Sequence, residues 1–133
     1  MSLRIAPEQL GRIVEHARAD APNECCGVVA VRDGAATEVR AATNAAASPM
    51  RFEVDAHELY RLMTEIEDRG DELGAIYHSH TRSAPEPSQT DVNFAALWPG
   101  VEWIIVGTQH DEPEVRTFRI EEGRVTEVEL EVR

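Results

Sequence analysis

GAIYHSHTRSAPEPSQTDV, residues 74–92, runs from an apolar stretch into two histidines one residue apart. A proline-rich turn follows, and then Ser88-Gln89-Thr90-Asp91. A core strand has no use for imidazoles, whereas a divalent metal does. Residues i and i+2 of a strand point the same way, so His78 and His80 can share one ion at Zn–N distances near ~2.0 Å, with Ser79 pointing away. Ser83 to Pro87 supplies the turn that brings the chain back. Ser88 and Asp91 then share one face of the helix expected over Ser88 to Leu97. Two imidazoles and a carboxylate fill three positions of a tetrahedral zinc site and leave the fourth open for water, as a catalytic site requires.

Each piece has a plainer explanation on its own. Ser88-x-x-Asp91 matches a helix capping box. His-x-His also occurs in amidohydrolases and metallo-β-lactamases. An amidohydrolase barrel needs about 250 residues, and the chain has 133. The metallo-β-lactamase pattern continues with Asp-His, where Thr81-Arg82 stands here. The conjunction of apolar strand, His-x-His, short turn and Ser-x-x-Asp favours the metal. Ser83 to Pro87 reads equally well as a passive connection or as a flap over the cleft.

Around this stretch the pattern alternates helices and strands. Pro7 opens a helix with Leu10, Ile13, Val14 and Ala17 on one face. Cys25 to Val31 reads as a buried strand, Asp33-Gly34 as a hairpin turn and Thr37 to Ala42 as the returning strand. Asn44 to Pro49 reads as loop. Asp55 with Glu58 looks like a capping box for a second helix over Leu59, Leu62, Met63 and Ile66, stopped at Gly70. Leu73 to Tyr77 is the next strand, with the histidines at its end. Trp103 to Val106 suits a central strand, with Val115 to Ile120 and Val125 to Val132 forming a hairpin. In the last strand Val128, Leu130 and Val132 alternate with glutamates, which predicts one face on the core. The order predicts an α/β (α+β) fold, a mixed β-sheet flanked by helices, in one domain over residues 1–133.

The formal charge of −12 speaks against a nucleic-acid partner, whose phosphates reward a basic face. No apolar run approaches the ~20 residues of a membrane helix, and the N-terminus lacks the pattern of a signal peptide. A cytoplasmic protein with no membrane partner is expected. Cys25 and Cys26 are adjacent, a poor geometry for a disulfide, and read as small buried thiols rather than as nucleophile or ligands. His16, His57 and His110 read as surface or capping residues, and Trp98 and Trp103 as core.

The run His78-Ser79-His80, seven intervening residues and Ser88-x-x-Asp91 resembles the signature of the JAMM (MPN-plus) metalloproteases. The segment "PNECCG" resembles the stretch where that family carries its catalytic glutamate, which points to Glu24. The segments "HSHT", "PSQTDV", "VRTFRI" and "GRVTEVE" extend the likeness over nearly the whole chain. The nearest branch is the prokaryotic one, resembling the CysO–cysteine peptidases that process ubiquitin-like sulfur carriers.

The resemblance implies an MPN-like sheet related in outline to the cytidine-deaminase-like architecture. It implies one Zn2+ per chain on His78, His80 and Asp91, Glu24 as general base and Ser88 as the oxyanion donor. The implied reaction is hydrolysis of the amide after the C-terminal glycine of a ubiquitin-like sulfur-carrier protein, releasing an added residue such as cysteine. An extended glycine tail would bind by strand addition at a sheet edge beside the metal. Two rivals stand beside it: an isopeptidase that removes ubiquitin-like proteins from conjugates, and a non-catalytic scaffold of the same fold. A nucleoside deaminase needs His-x-Glu and Pro-Cys-x-x-Cys, and neither is present. The oligomeric state stays open, a homodimer among the options.

Overall fold

The computed structural model describes residues 3–48 and 53–133. The chain runs β1 (Leu3–Ile5), α1 (Pro7–Asp20), β2 (Cys26–Arg32), β3 (Ala35–Ala42), α2 (Ala56–Asp68), β4 (Glu72–His80), α3 (Gln89–Ala95), β5 (Glu102–Gly107), β6 (Glu114–Glu121), β7 (Arg124–Val128) and β8 (Leu130–Val132). The eight strands form one mixed sheet in the order β7-β6-β5-β4-β2-β3-β1-β8. This is the mixed sheet flanked by helices that the pattern predicts.

Local chemistry starts and stops these elements. Pro7 fixes the first turn of α1, and the Gln9 side chain accepts the Ala6 N–H at 2.9 Å. Asp33 and Gly34 both take positive φ, the pairing a tight hairpin between β2 and β3 requires. Asp55 caps α2 by accepting the His57 and Glu58 N–H groups. The expected capping box there does not form, because Glu58 accepts the Thr43 N–H at 2.7 Å instead. Leu59, Leu62 and Ile66 bury the inner face of α2, each contributing about 1.5–3 kcal/mol relative to exposure.

Two core layers lie on the two faces of the sheet. Cys26, Ile76, Trp103 and Ile105 pack with Leu59, Leu62 and Ile66 of α2 and Ala95 of α3. Cys25, Val29, Tyr77 and Ile104 pack with Ile13 and Ala17 of α1. Adjacent cysteines thus enter opposite layers, and both are free and buried.

Three expectations need correction. The strand β1, only three residues long, has no counterpart in the sequence pattern. It pairs in parallel with both β3 and β8. Val125 to Val132 is not one strand. It breaks at Glu129, β7 pairing with β6 and β8 with β1, so the chain passes there from one edge strand of the sheet to the other. Val132 is 46% exposed and Val128 and Leu130 are half-buried, a weaker core face than the alternation predicts. Finally, no sheet edge lies beside the histidines: β4 is flanked by β2 and β5. Of the expected Asn44–Pro49 loop, Asn44 forms an isolated bridge to Val54, and Pro49 lies outside the described residues. Among the described residues no helix is long and apolar enough to cross a membrane.

Candidate metal centre

β4 extends through His80, so both histidines sit within the paired strand rather than beyond it. Strand alternation sends His78 and His80 to the side of α2 and α3. There α3 returns Asp91 to meet them. His78 Nε2 lies 3.2 Å from His80 Nε2 and 3.1 Å from Asp91 Oδ2, and His80 Nε2 lies 3.3 Å from the same oxygen. All three residues are buried. Tetrahedral bonds of about 2.0 Å require donor atoms ~3.3 Å apart, so the spacing fits a zinc-sized ion with its donors already converged.

Neighbouring groups fix the orientation of each donor. His80 Nδ1 donates to the Ala84 carbonyl at 2.9 Å, which turns Nε2 toward the donor cluster, the usual arrangement behind a ligating histidine. Nothing in the sequence marks Ala84, since its contribution is a backbone oxygen. The turn carrying it is docked: a Cβ on Gly107 would come within 2.9 Å of Pro85, and Glu86 pairs with Arg116 at 3.0 Å. Trp103 meets His78 edge-on, with ring centroids 6.5 Å apart.

Asp91 is the third residue of α3. Its Oδ2 accepts the Ser88 N–H at 2.9 Å, and its own N–H donates to Ser88 Oγ at 3.2 Å. The capping box is therefore real and coexists with the donor cluster. Burial works against the Asp91 charge, but hydrogen bonds from both imidazoles hold the carboxyl well below the usual carboxylate range. Burial pushes His78 down. For His80 burial also pulls down, but the contacts with Asp91 and the Ala84 carbonyl outweigh it and the pKa is raised.

Glu24 stands just before β2. Cys26 pairs with His78, and Cys25 is bonded to Ser79, so Glu24 comes level with His80. It is only 5% exposed. Desolvation pushes its pKa up to about 7, against the pull of His80 and with the help of Asp91. A carboxyl poised near neutrality can take a proton and give it back.

Elsewhere the functional expectations thin out. Burial pushes both thiols up to about 12, which removes them as nucleophiles near neutral pH. His16 is no mere surface residue: its Nδ1 meets the buried Tyr77 hydroxyl at 2.6 Å and its Nε2 lies 3.2 Å from Asp20. Trp103 is fully buried, and Trp98 packs on the core edge.

Comparison with known proteins finds relatives along nearly the whole chain. The chain is 36% identical over 133 residues to the CysO-cysteine peptidase of Mycobacterium tuberculosis (strain ATCC 25618 / H37Rv), covering 98% of this chain and 90% of that protein. It is 38% identical over 110 residues to the desampylase of Haloferax volcanii, covering 77% and 78%. A solution structure from Desulfitobacterium hafniense superposes with a TM-score of 0.84 at 26% identity, over 98% of this chain and 92% of that one. Residues 7–121 match the model of the prokaryotic homologs of the JAB domain. A His-x-His strand and a capped Asp-bearing helix thus occur in a chain with relatives of that kind along nearly its whole length, and the chain belongs to the family of prokaryotic JAB-domain homologs.

Proposed function

We propose that this chain is one zinc peptidase domain over residues 1–133, hydrolysing the amide after the C-terminal glycine of a ubiquitin-like sulfur-carrier protein and releasing an added residue such as cysteine. The chain is a JAB-type hydrolase related to CysO-cysteine peptidases and desampylases. The observation that carries this proposal is the convergence of His78 Nε2, His80 Nε2 and Asp91 Oδ2 within 3.3 Å of one another, beside a buried Glu24.

In this reading His78, His80 and Asp91 hold one Zn2+. When bound, the zinc would supply the Lewis acidity that makes a water usable as a nucleophile near neutral pH. Glu24 takes the proton from the attacking water and later delivers it to the leaving amine nitrogen. Ser88 Oγ accepts the Asp91 N–H through a lone pair, which leaves its own proton for the oxyanion formed on the scissile carbonyl. The setting in this reading is cytoplasmic, in keeping with two free cysteines.

The second reading has a specific observation behind it, the match to desampylases: the scissile bond is an isopeptide to a protein lysine. One experiment separates the two. A Gly-Gly-terminated ubiquitin-like carrier is supplied either extended by one cysteine or joined to a lysine side chain, and the products are weighed by mass spectrometry. Mass loss from the extended carrier supports the peptidase; cleavage of the conjugate alone supports the isopeptidase. Neither cleavage, with zinc bound, rejects both.

A further inference from the structure

His78-Ser79-His80-Thr81 has two working sides. The imidazoles face the donor cluster, and the two hydroxyls go to the segment that carries Glu24. Ser79 is fully buried. Its Oγ accepts the Cys25 N–H at 2.8 Å, and its N–H donates to the Cys25 carbonyl at 3.2 Å. Two residues on, Thr81 Oγ1 donates to the Pro22 carbonyl at 2.9 Å. These anchors bracket Glu24, one immediately after it and one two residues before. Glu24 itself is held as well: its N–H donates to the Ser48 carbonyl at 2.8 Å, and its carbonyl accepts from Asn44 Nδ2 at 2.9 Å.

A residue just outside a strand ordinarily frays, and a frayed base has no fixed reach. Here the residue is pinned to the neighbouring strand that carries the metal-facing histidines. A shift of the strand end by a fraction of an ångström would move the carboxyl relative to its target. Displacements of about 1 Å at a reacting group can cost 10²-fold in rate.

We propose that Ser79 and Thr81 are positioning residues for the Glu24 carboxylate. One four-residue stretch then supplies two donors from one face and sets the distance of the base from the other. The inference rests on the reading of Glu24 as the base.

The test is a double-mutant cycle on the zinc-loaded enzyme, with a Gly-Gly-terminated ubiquitin-like carrier extended by cysteine as substrate. Ser79→Ala should retain one zinc per chain, hold KM within about twofold and lower kcat by about 10–100-fold. Thr81→Val should lower kcat by about tenfold, and Thr81→Ser should restore it. In a Glu24→Gln background both substitutions should cost nothing further, because their effect passes through a carboxylate no longer there. A second readout uses metal-free protein: amide hydrogen exchange at Cys25 should accelerate in Ser79→Ala. Losses that persist in full in the Glu24→Gln background, loss of zinc, or an unchanged kcat in both single variants each overturn the proposal. If Ser79→Ala does not fold, Thr81→Val and its serine rescue decide the matter. Glu24→Gln with wild-type turnover overturns the base reading itself, and that outcome is distinct from additive losses on an inactive Glu24→Gln.

Discussion

Ser88 and Asp91 hold each other across the first turn of α3, each backbone N–H donating to the other's side chain, at 2.9 and 3.2 Å. The oxygen that caps the helix is also the one facing both histidines. Helix start and candidate metal donor are therefore one feature. Ser88→Ala should lose about 0.5–2 kcal/mol of stability with its cap and roughly 10²–10³-fold in kcat with its oxyanion contact, while keeping zinc. Ser88→Gly separates the two roles, since glycine caps almost as well. Near-normal denaturation with the same loss of turnover is the expected result; full turnover would remove Ser88 from the chemistry.

The donor cluster predicts about one zinc per chain. Replacing His78, His80 or Asp91 by Ala should bring elemental analysis of the purified protein close to zero zinc. A strong chelator should abolish turnover and added zinc restore it. Full occupancy in the His78→Ala, His80→Ala double variant would show that the ion sits elsewhere.

Glu24→Gln should keep both fold and zinc, because the amide has nearly the volume of the carboxyl. Turnover should fall by about 10²–10⁴-fold, the range of a general acid–base group, and toward its upper end for a residue serving two proton transfers. Loss of zinc along with activity would make Glu24 a fourth ligand and the site a closed, structural one.

The raised Glu24 pKa has a signature that needs no substrate. Folding moves this carboxyl from an ordinary 4.5 up to about 7, so the folded chain keeps a proton the unfolded chain has released. Its stabilising contribution is full below ~4.5 and is lost as pH rises through ~7. In metal-free protein the difference in unfolding free energy between Glu24→Gln and wild type should therefore move in favour of the variant from pH 4.5 to 8. His78, pushed down by burial, titrates in the opposite sense but is common to both proteins. A difference that stays flat with pH would mean the carboxyl is solvated.

Cys25 and Cys26 are both 0% exposed, with thiols pushed up to about 12. Iodoacetamide under native conditions should label neither and leave turnover unchanged, as read by intact mass. Inactivation with zinc and fold intact would return a thiol to the mechanism.

The legible part of this molecule is what short-range spacing encodes. His78, His80, Ser88 and Asp91 lie within fourteen residues, so strand and helix periodicity alone brings them together. Glu24 is over fifty residues away, and only the family resemblance singled it out. Its partners Asn44 and Ser48 bear no local mark. Glu58 was readable as half of a capping box, yet Thr43 competes for it, and a tertiary contact outranks a motif. The break at Glu129 was illegible for another reason. Valine–glutamate alternation runs unchanged through Val128 and Leu130, so the pattern reports a strand without reporting which neighbour it joins.

Val132 lies beside Ile5, Glu131 beside Arg4 and Leu130 beside Leu3, so the first strand of the chain is zipped to the last. That pairing spans almost the entire sequence, and such contacts are the slowest to form because the largest loop must close first. Until β8 docks, the side of β1 away from β3 stays unpaired. The strands before β8, β1 among them through its pairing with β3, can assemble earlier, which makes this zipper a late step of folding rather than its nucleus.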